Sequence, residues 1–201
     1  MSGFGSMFQY LVFVGVFVNV IGASAYIRDT LRGETQPNRV TRLLWSFSTF
    51  IAAFAALQDG VGLAALPVFA SGFVPFLIFL ASFVNPKAYW ELRPFDYICG
   101  VFSVLALILW YLTKDPNIAI VFAILSDGFA LIPTLVKSWK YPESESVVAY
   151  STGLFSAITS FAAMKAWNFS ELAFPTYLVI SCAVLVYAIE RKRFKKAERP
   201  I

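Results

Sequence analysis

Seven apolar stretches of about twenty residues, separated by short polar connections, make up most of this chain. A bilayer core about 30 Å thick is crossed by about 20 apolar residues in a helix. We place the crossings at Phe8–Ile27, Val40–Leu57, Leu63–Val84, Phe95–Thr113, Asn117–Val136, Val147–Trp167 and Leu172–Ile189. The stretches do not alternate apolar and polar residues as the strands of a membrane barrel do. The sequence therefore predicts an all-α, polytopic membrane protein with seven transmembrane helices.

The basic residues are distributed unevenly between the two predicted membrane sides. Of the 16 Lys and Arg residues, all but Lys114 and Lys165 fall in or beside the first, third and fifth connections or in the C-terminal tail. The positive-inside rule then places the N-terminus outside and the tail in the cytoplasm. We expect a bacterial inner (plasma) membrane for so compact a chain. The net charge of +4 is thus a topology signal, not a sign of a nucleic-acid partner, although the tail can also contact anionic lipid.

Spans one to three are matched by spans five to seven at a nearly constant offset in sequence. The matching positions are Gly22 and Gly128, Pro37 and Pro142, Ser46 and Ser151, Phe50 and Phe155, and Pro67 and Pro175. An unpaired linker helix lets two three-helix units share one orientation, as in parallel repeats. We expect a single transmembrane domain over residues 1–201 in a 3+1+3 arrangement. Its parts are a first repeat at 1–84, a linker helix at 95–113, a second repeat at 117–190 and a basic tail at 191–201.

This 3+1+3 layout resembles the PQ-loop superfamily, which includes the SWEET sugar transporters and, more distantly, the KDEL receptors. The stretch from Gly128 to Lys140, with Pro133 inside it, is similar to the family segment in which a Pro-Gln pair precedes a hinge rich in Lys and Ser. Thr134 stands where Gln is expected, and Tyr26-Ile27 replaces the dipeptide in the first repeat. The chain thus looks like a divergent member lacking the Pro-Gln dipeptides. The resemblance implies a solute carrier that works by alternating access without ATP.

Asp127 is the first candidate for a binding residue, because it falls near the middle of the fifth span. A charge at that depth costs at least about 2.5 kcal/mol on insertion scales, so an intramembrane acid is by default a functional-site hypothesis. It could bind a proton or a cationic or polar group of the solute. Asn19, shifted by the repeat offset, falls two residues from Asp127, and we expect both at similar depth. The alternative is that each only ties helices together through hydrogen bonds.

Three further residues complete the candidate site. Trp45 would form an aromatic wall suited to a sugar or a flat ring, or would lie in the inner aromatic belt. Ser156 belongs to a small polar face of the sixth span, and such a face either lines a hydrated path or allows close helix packing. Pro133 is the candidate gating hinge, because proline removes a backbone donor and kinks a helix.

The absence of His bounds the chemistry that this chain can perform. Without His, and with Cys99 and Cys182 inside spans, we expect no metal site, no cofactor and no catalytic residue, hence no enzyme. Acids of the inner connections, such as Asp29 and Glu145, are expected to pair locally with Arg and Lys. Beyond the solute and the bilayer, a homo-oligomer remains open as a partner.

The function expected from these observations is transport of a small polar solute, such as a sugar, an amino acid or a vitamin-like molecule. Proton coupling is compatible with an acid at mid-membrane. Two alternatives stay open. One is a non-transporting seven-helix receptor or sensor of KDEL-receptor-like architecture, and the other is an ion channel.

Overall fold

The computed structural model describes residues 9–88, 90–113 and 115–197. Within these ranges the chain is helical and has no β-strand. The seven long helices are α1 (Leu11–Arg32), α2 (Arg39–Gln58), α3 (Ala65–Ala81), α4 (Pro94–Thr113), α5 (Pro116–Lys140), α6 (Val147–Ala163) and α7 (Phe169–Ala197). Each predicted crossing is therefore found as a helix, and the all-α class is confirmed. α7 continues into the first part of the segment that the sequence assigns to the basic tail.

Five of these helices, α1, α2, α4, α5 and α7, are long and apolar enough to cross a membrane. This is consistent with an integral membrane protein. α3 and α6 are apolar as well, but each has 17 residues, so each spans only about 26 Å at 1.5 Å per residue. Both are shorter than the stretches that the sequence predicts, because the chain leaves the helix before the apolar run ends.

The early end of α6 has a specific cause in its connection to α7. The Glu171 carboxylate accepts the backbone N–H groups of Lys165, Ala166 and Trp167 at 2.9 to 3.2 Å. Trp167 has a positive φ of 51°, which a helix cannot continue through. The polar turn thus replaces the last helical turn expected for the sixth span.

The helices pack in the same order in both halves of the chain. α3 packs against both α1 and α2, and α7 packs against both α5 and α6. The halves meet where α1 packs on α6 and where α2 packs on α5. Six helices thus form a ring in the order α1, α3, α2, α5, α7, α6. α4 lies outside this ring, packed mainly on α5, and exposes apolar side chains such as Ile98, Val101 and Leu109.

The connections alternate between the two ends of the ring. At one end, the Asn85 amide donates to the Leu31 carbonyl at 2.9 Å, and the Gln36 N–H donates to the Ser144 carbonyl at 3.2 Å. We call this the basic end, because the connections meeting there are the ones rich in Lys and Arg. At the opposite end, Ser170 bonds to the side chains of Asp59 and Asn117.

The α1–α6 contact is unusually close because glycines on α1 face threonines on α6. A Cβ atom added at Gly15 would lie 2.2 Å from Thr159 Oγ1, and one added at Gly22 would lie 1.9 Å from Thr152 Oγ1. Neither distance is compatible with a side chain. Of the two roles open for the polar face of α6, close helix packing is therefore the one that Thr152 and Thr159 fill.

Candidate functional site

A central cavity lies inside the ring, and residues of all six ring helices line it. Its free space is about 70 Å³, enough for a few water molecules. Among the residues proposed from sequence, Asn19, Trp45 and Asp127 line the cavity. Three helices from the two halves thus bring these side chains to one place.

Asp127 is held by hydroxyl groups. One carboxylate oxygen accepts from Ser48 Oγ at 2.8 Å and Thr49 Oγ1 at 3.4 Å, and the other accepts from Tyr177 OH at 2.7 Å. The residue is buried, with 4% of its surface exposed. Its hydrogen bonds join α5 to α2 and α7, so Asp127 does tie helices together, yet it also faces the cavity. A carboxylate in this position can accept a proton or a donor group from a bound molecule.

Trp45 forms an aromatic wall beside Asp127. Its Nε1–H donates to the Asp127 carbonyl oxygen at 3.2 Å, and its ring meets that of Tyr150 edge-on, with centroids 6.4 Å apart. The side chain lies within the bundle, with 7% of its surface exposed. This position fits the pocket interpretation of Trp45 better than that of an interfacial anchor.

The Asn19 amide lines the cavity from the side of α1. Although Asn19 is 97% buried, no hydrogen bond joins its side chain to another residue in the described ranges. Gly153 leaves room for it, since a Cβ atom there would lie 3.8 Å from Asn19 Oδ1. A buried amide that faces open space can bond to a molecule inside it.

The two other predicted residues lie beside the cavity and do not line it. Ser156 is fully buried on α6, and its Oγ has no partner among the described residues. Pro133 is buried inside α5, which continues through it to Lys140. Close by, Thr41 Oγ1 donates to the Ala130 carbonyl at 2.9 Å and ties this part of α5 to α2.

The cavity is closed at the basic end by five buried side chains, which we call the charged cluster. Its members are Tyr26, Arg42, Lys137, Glu145 and Tyr150. One Glu145 oxygen accepts from Tyr26 OH at 2.6 Å, Tyr150 OH at 2.8 Å and Arg42 Nη2 at 2.9 Å. The other lies 2.6 Å from Lys137 Nζ. Residues of both halves therefore meet on one carboxylate.

Aromatic rings and opposite charges stabilise this cluster away from water. The Arg42 guanidinium lies 4.7 Å from the Tyr26 ring centroid and 5.1 Å from that of Trp45, within the range of cation–π attraction. Burial alone would raise the pKa of the Glu145 carboxyl, but Lys137 and Arg42 outweigh it and hold the pKa below its usual value. Glu145 is thus a buried carboxylate kept ionised by its partners.

Sequence reasoning missed the charged cluster. Asp29 pairs with its neighbour Arg28 at 3.1 Å, as expected. Glu145 also has a local partner, Lys137, at 2.6 Å, but local pairing does not account for its contact with Arg42, which lies 103 positions away. One signal was present in the sequence: Arg42 falls inside the second predicted span, where a charge requires a partner.

No protein-family model, curated protein or solved structure matches this chain. The function is therefore inferred from the central cavity and the charged cluster. The cavity offers an acid, an amide and aromatic rings, and the cluster closes it at one end. Such an arrangement can hold a small polar molecule out of contact with the basic end of the ring.

Proposed function

We propose that this chain is a membrane transporter for a small polar solute and works by alternating access. The observation that carries the proposal is the central cavity, bounded by helices of both halves, with Asp127 facing it. A ring of six helices around a polar cavity suits a solute site near mid-membrane. In this proposal Asp127 binds a proton or a polar group of the solute, Asn19 bonds to the solute, and Trp45 packs against it.

The packing order supports a 3+1+3 arrangement of two repeated units. The pairs α1–α3 and α3–α2 in the first half correspond to α5–α7 and α7–α6 in the second. Exchanging the halves also converts the α1–α6 contact into the α5–α2 contact. α1 and α5 both end at the basic end, as parallel repeats require. α4 then serves as the linker helix, and the layout resembles that of the PQ-loop and SWEET proteins.

The charged cluster would be the closed gate at the basic end. Tyr26 and Arg42 belong to the first unit, and Lys137, Glu145 and Tyr150 to the second, so separating the units there would break the cluster. Pro133 lies between Asp127 and Lys137 on α5. Because proline leaves one carbonyl of the helix without its usual partner, α5 can bend at this point when the gate opens.

The same proposal places the basic end in the cytoplasm. Together with the C-terminal tail, the connections there account for most of the Lys and Arg residues, which favours retention on the inner side of a membrane. The N-terminus would then lie outside and the C-terminal tail inside, in a bacterial inner membrane.

Uptake into proteoliposomes tests the proposal. The wild-type chain should show saturable uptake of at least one member of a panel of sugars, amino acids and vitamins. An inward proton gradient should accelerate this uptake. Asp127→Asn should abolish the acceleration and lower uptake about tenfold or more, since a hydrogen bond to a charged group contributes about 1.5–3 kcal/mol. Asp29→Asn, the same change in a surface ion pair, should behave as wild type.

The same preparation separates the alternatives. Binding of a solute without uptake would indicate a receptor or sensor. Steady ionic current across a planar bilayer would indicate a channel. Normal uptake by Asp127→Asn at every pH would remove the coupling role of this carboxyl group.

A further inference from the structure

Arg42 is a cavity-lining cation whose hydrogen-bonding capacity is only partly used. Its bonds to Tyr26, Glu145 and Tyr150 all run through one nitrogen, Nη2. Its Nε is buried and has no partner in the described part of the chain. A guanidinium has five N–H donors in a fixed plane. Nη1 makes no hydrogen bond to another described residue either, so donors of the fork remain for a further acceptor at the edge of the cavity, which Arg42 lines.

Arg42 also shares its acidic partner with a second cation. Arg42 and Lys137 are cations, and Glu145 is their common acidic partner. The next acid, Asp96, accepts from the Asn38 amide at 3.1 Å and the Arg93 N–H at 2.6 Å, and its charge acts on Lys137. Of the two cations, only Arg42 lines the cavity. Arg42 is therefore the cation of the cluster placed to pair with an anionic ligand.

The other cavity walls limit the size and character of this ligand. Asn19 presents a second unpartnered polar group, and Trp45 and Tyr150 present aromatic surface. At about 10–15 Å³ of such space per water, the 70 Å³ of free space holds about five or six heavy atoms. A small carboxylic acid fits this space, whereas a hexose, with twice as many heavy atoms, requires the cavity to widen.

We propose that Arg42 binds a carboxylate group of the solute, so that the molecule carried is a small organic acid or amino acid. This inference rests on the proposed transport function and specifies its substrate class. Guanidinium and carboxylate form paired, charge-assisted hydrogen bonds. The carboxylate would point toward the basic end, and the rest of the solute would reach toward Asn19 and Asp127.

Thermal unfolding of the purified full chain in detergent micelles tests the inference. Four probes of similar size are compared at equal concentration and ionic strength: lactate, alanine, alaninamide and 1,2-propanediol. A ligand that binds the folded chain raises its unfolding midpoint by mass action. Lactate and alanine should raise the midpoint. Alaninamide and 1,2-propanediol, which lack a carboxylate, should not.

Arg42→Gln should weaken the apparent affinity for lactate and alanine at least about tenfold, as expected for loss of a charge-assisted pair. This variant retains the Lys137–Glu145 pair, so it leaves a neutral ion pair in the bundle. If Arg42→Gln does not fold, Arg42→Lys is used in its place, because the ammonium group keeps the positive charge but lacks the planar set of donors of a guanidinium. It should bind lactate more weakly than wild type. Arg28→Gln, which changes a surface arginine at the same end, should leave both affinities unchanged.

The inference would be overturned if alanine and alaninamide raised the unfolding midpoint equally. It would also be overturned if Arg42→Gln still bound lactate and alanine as tightly as wild type does. In either case uptake of a neutral solute into proteoliposomes would leave the transport function standing. A chain that neither binds nor takes up any solute would contradict both proposals.

Discussion

At the scale of single residues, Glu145 is the most connected side chain of the site. It accepts hydrogen bonds from two tyrosines and contacts two cations. None of its side-chain surface is exposed. Because the carboxylate joins partners from both halves of the chain, its removal affects more than one contact at a time.

Glu145→Gln should destabilise the folded chain by about 3–5 kcal/mol, the usual cost of removing one partner from a buried ion pair. The substitution leaves Arg42 and Lys137 as buried cations without their shared countercharge. Equilibrium unfolding in detergent measures the effect. Glu143→Gln, at an exposed position of the same connection, should change stability by less than about 0.5 kcal/mol. Equal stability of the two variants would contradict the role assigned to Glu145.

The lowered pKa of Glu145 predicts the pH range in which its contribution is lost. A carboxyl group whose pKa is lower in the folded chain stabilises fully above its unfolded pKa, about 4.3 for Glu. It loses this contribution as the pH falls through the folded value. The stability difference between wild type and Glu145→Gln should therefore be constant from pH 7 to about 4.5 and shrink on further acidification. Unfolding curves over this range measure it, and a difference that disappears between pH 7 and 5 would contradict the assignment.

At the scale of the helices, the close α1–α6 contact depends on residues without side chains. Gly15 and Gly22 are one heptad apart on α1 and meet Thr159 and Thr152 on the antiparallel α6. Small residues allow such backbone approach in membrane proteins. The corresponding α2–α5 contact is formed differently, by hydrogen bonds from Thr41 and Ser48. The two halves thus repeat the helix order but not the chemistry of their interfaces.

Gly22→Ala should destabilise the chain by about 1–3 kcal/mol through overpacking, because the new Cβ would lie 1.9 Å from Thr152 Oγ1. Combining it with Thr152→Ala should recover part of the loss. Gly128→Ala is the matched control inside α5, since its Cβ would approach nothing closer than 3.9 Å. Thermal unfolding of the four proteins in detergent measures these effects. A Gly22→Ala variant as stable as Gly128→Ala would argue against the close contact.

The helices could be predicted from sequence because an apolar run of the required length is a local property. Only their ends were uncertain, as at α6, where the bonds of Glu171 to the preceding backbone end the helix. Asn19 and Asp127 could be placed near one another because polar residues inside apolar spans stand out, whereas for Trp45 the sequence left a pocket wall and an interfacial anchor as alternatives. The charged cluster could not be predicted, since Glu145 resembles an ordinary residue of a basic connection and the position of Arg42 inside a span does not identify its partner. Their pairing depends on which helices become neighbours across the ring.

At the scale of the whole molecule, the proposed orientation can be tested by chemical labelling. Single cysteines are introduced as Glu143→Cys at the basic end and Ala166→Cys at the opposite end, both exposed positions, after Cys99→Ser and Cys182→Ser. A membrane-impermeant maleimide should label Ala166→Cys in intact bacteria. It should label Glu143→Cys only after the membrane is opened. The reverse labelling pattern would mean that the chain has the opposite orientation in the membrane. The description of the cavity would not change.

The charged cluster has a kinetic consequence. Tyr26 and Arg42 from one half bond to Glu145 from the other, and Lys137 contacts the same carboxylate. Separating the halves therefore leaves charged groups without partners in a medium of low dielectric constant. States in which the two halves have come only partly apart are therefore unfavourable, and in the proposed transport cycle the chain would pass between its end states in a concerted step. Such a step, rather than the arrival of the solute, would set the turnover number. Substitutions in the cluster would then change the speed of the cycle and the resistance to unfolding together.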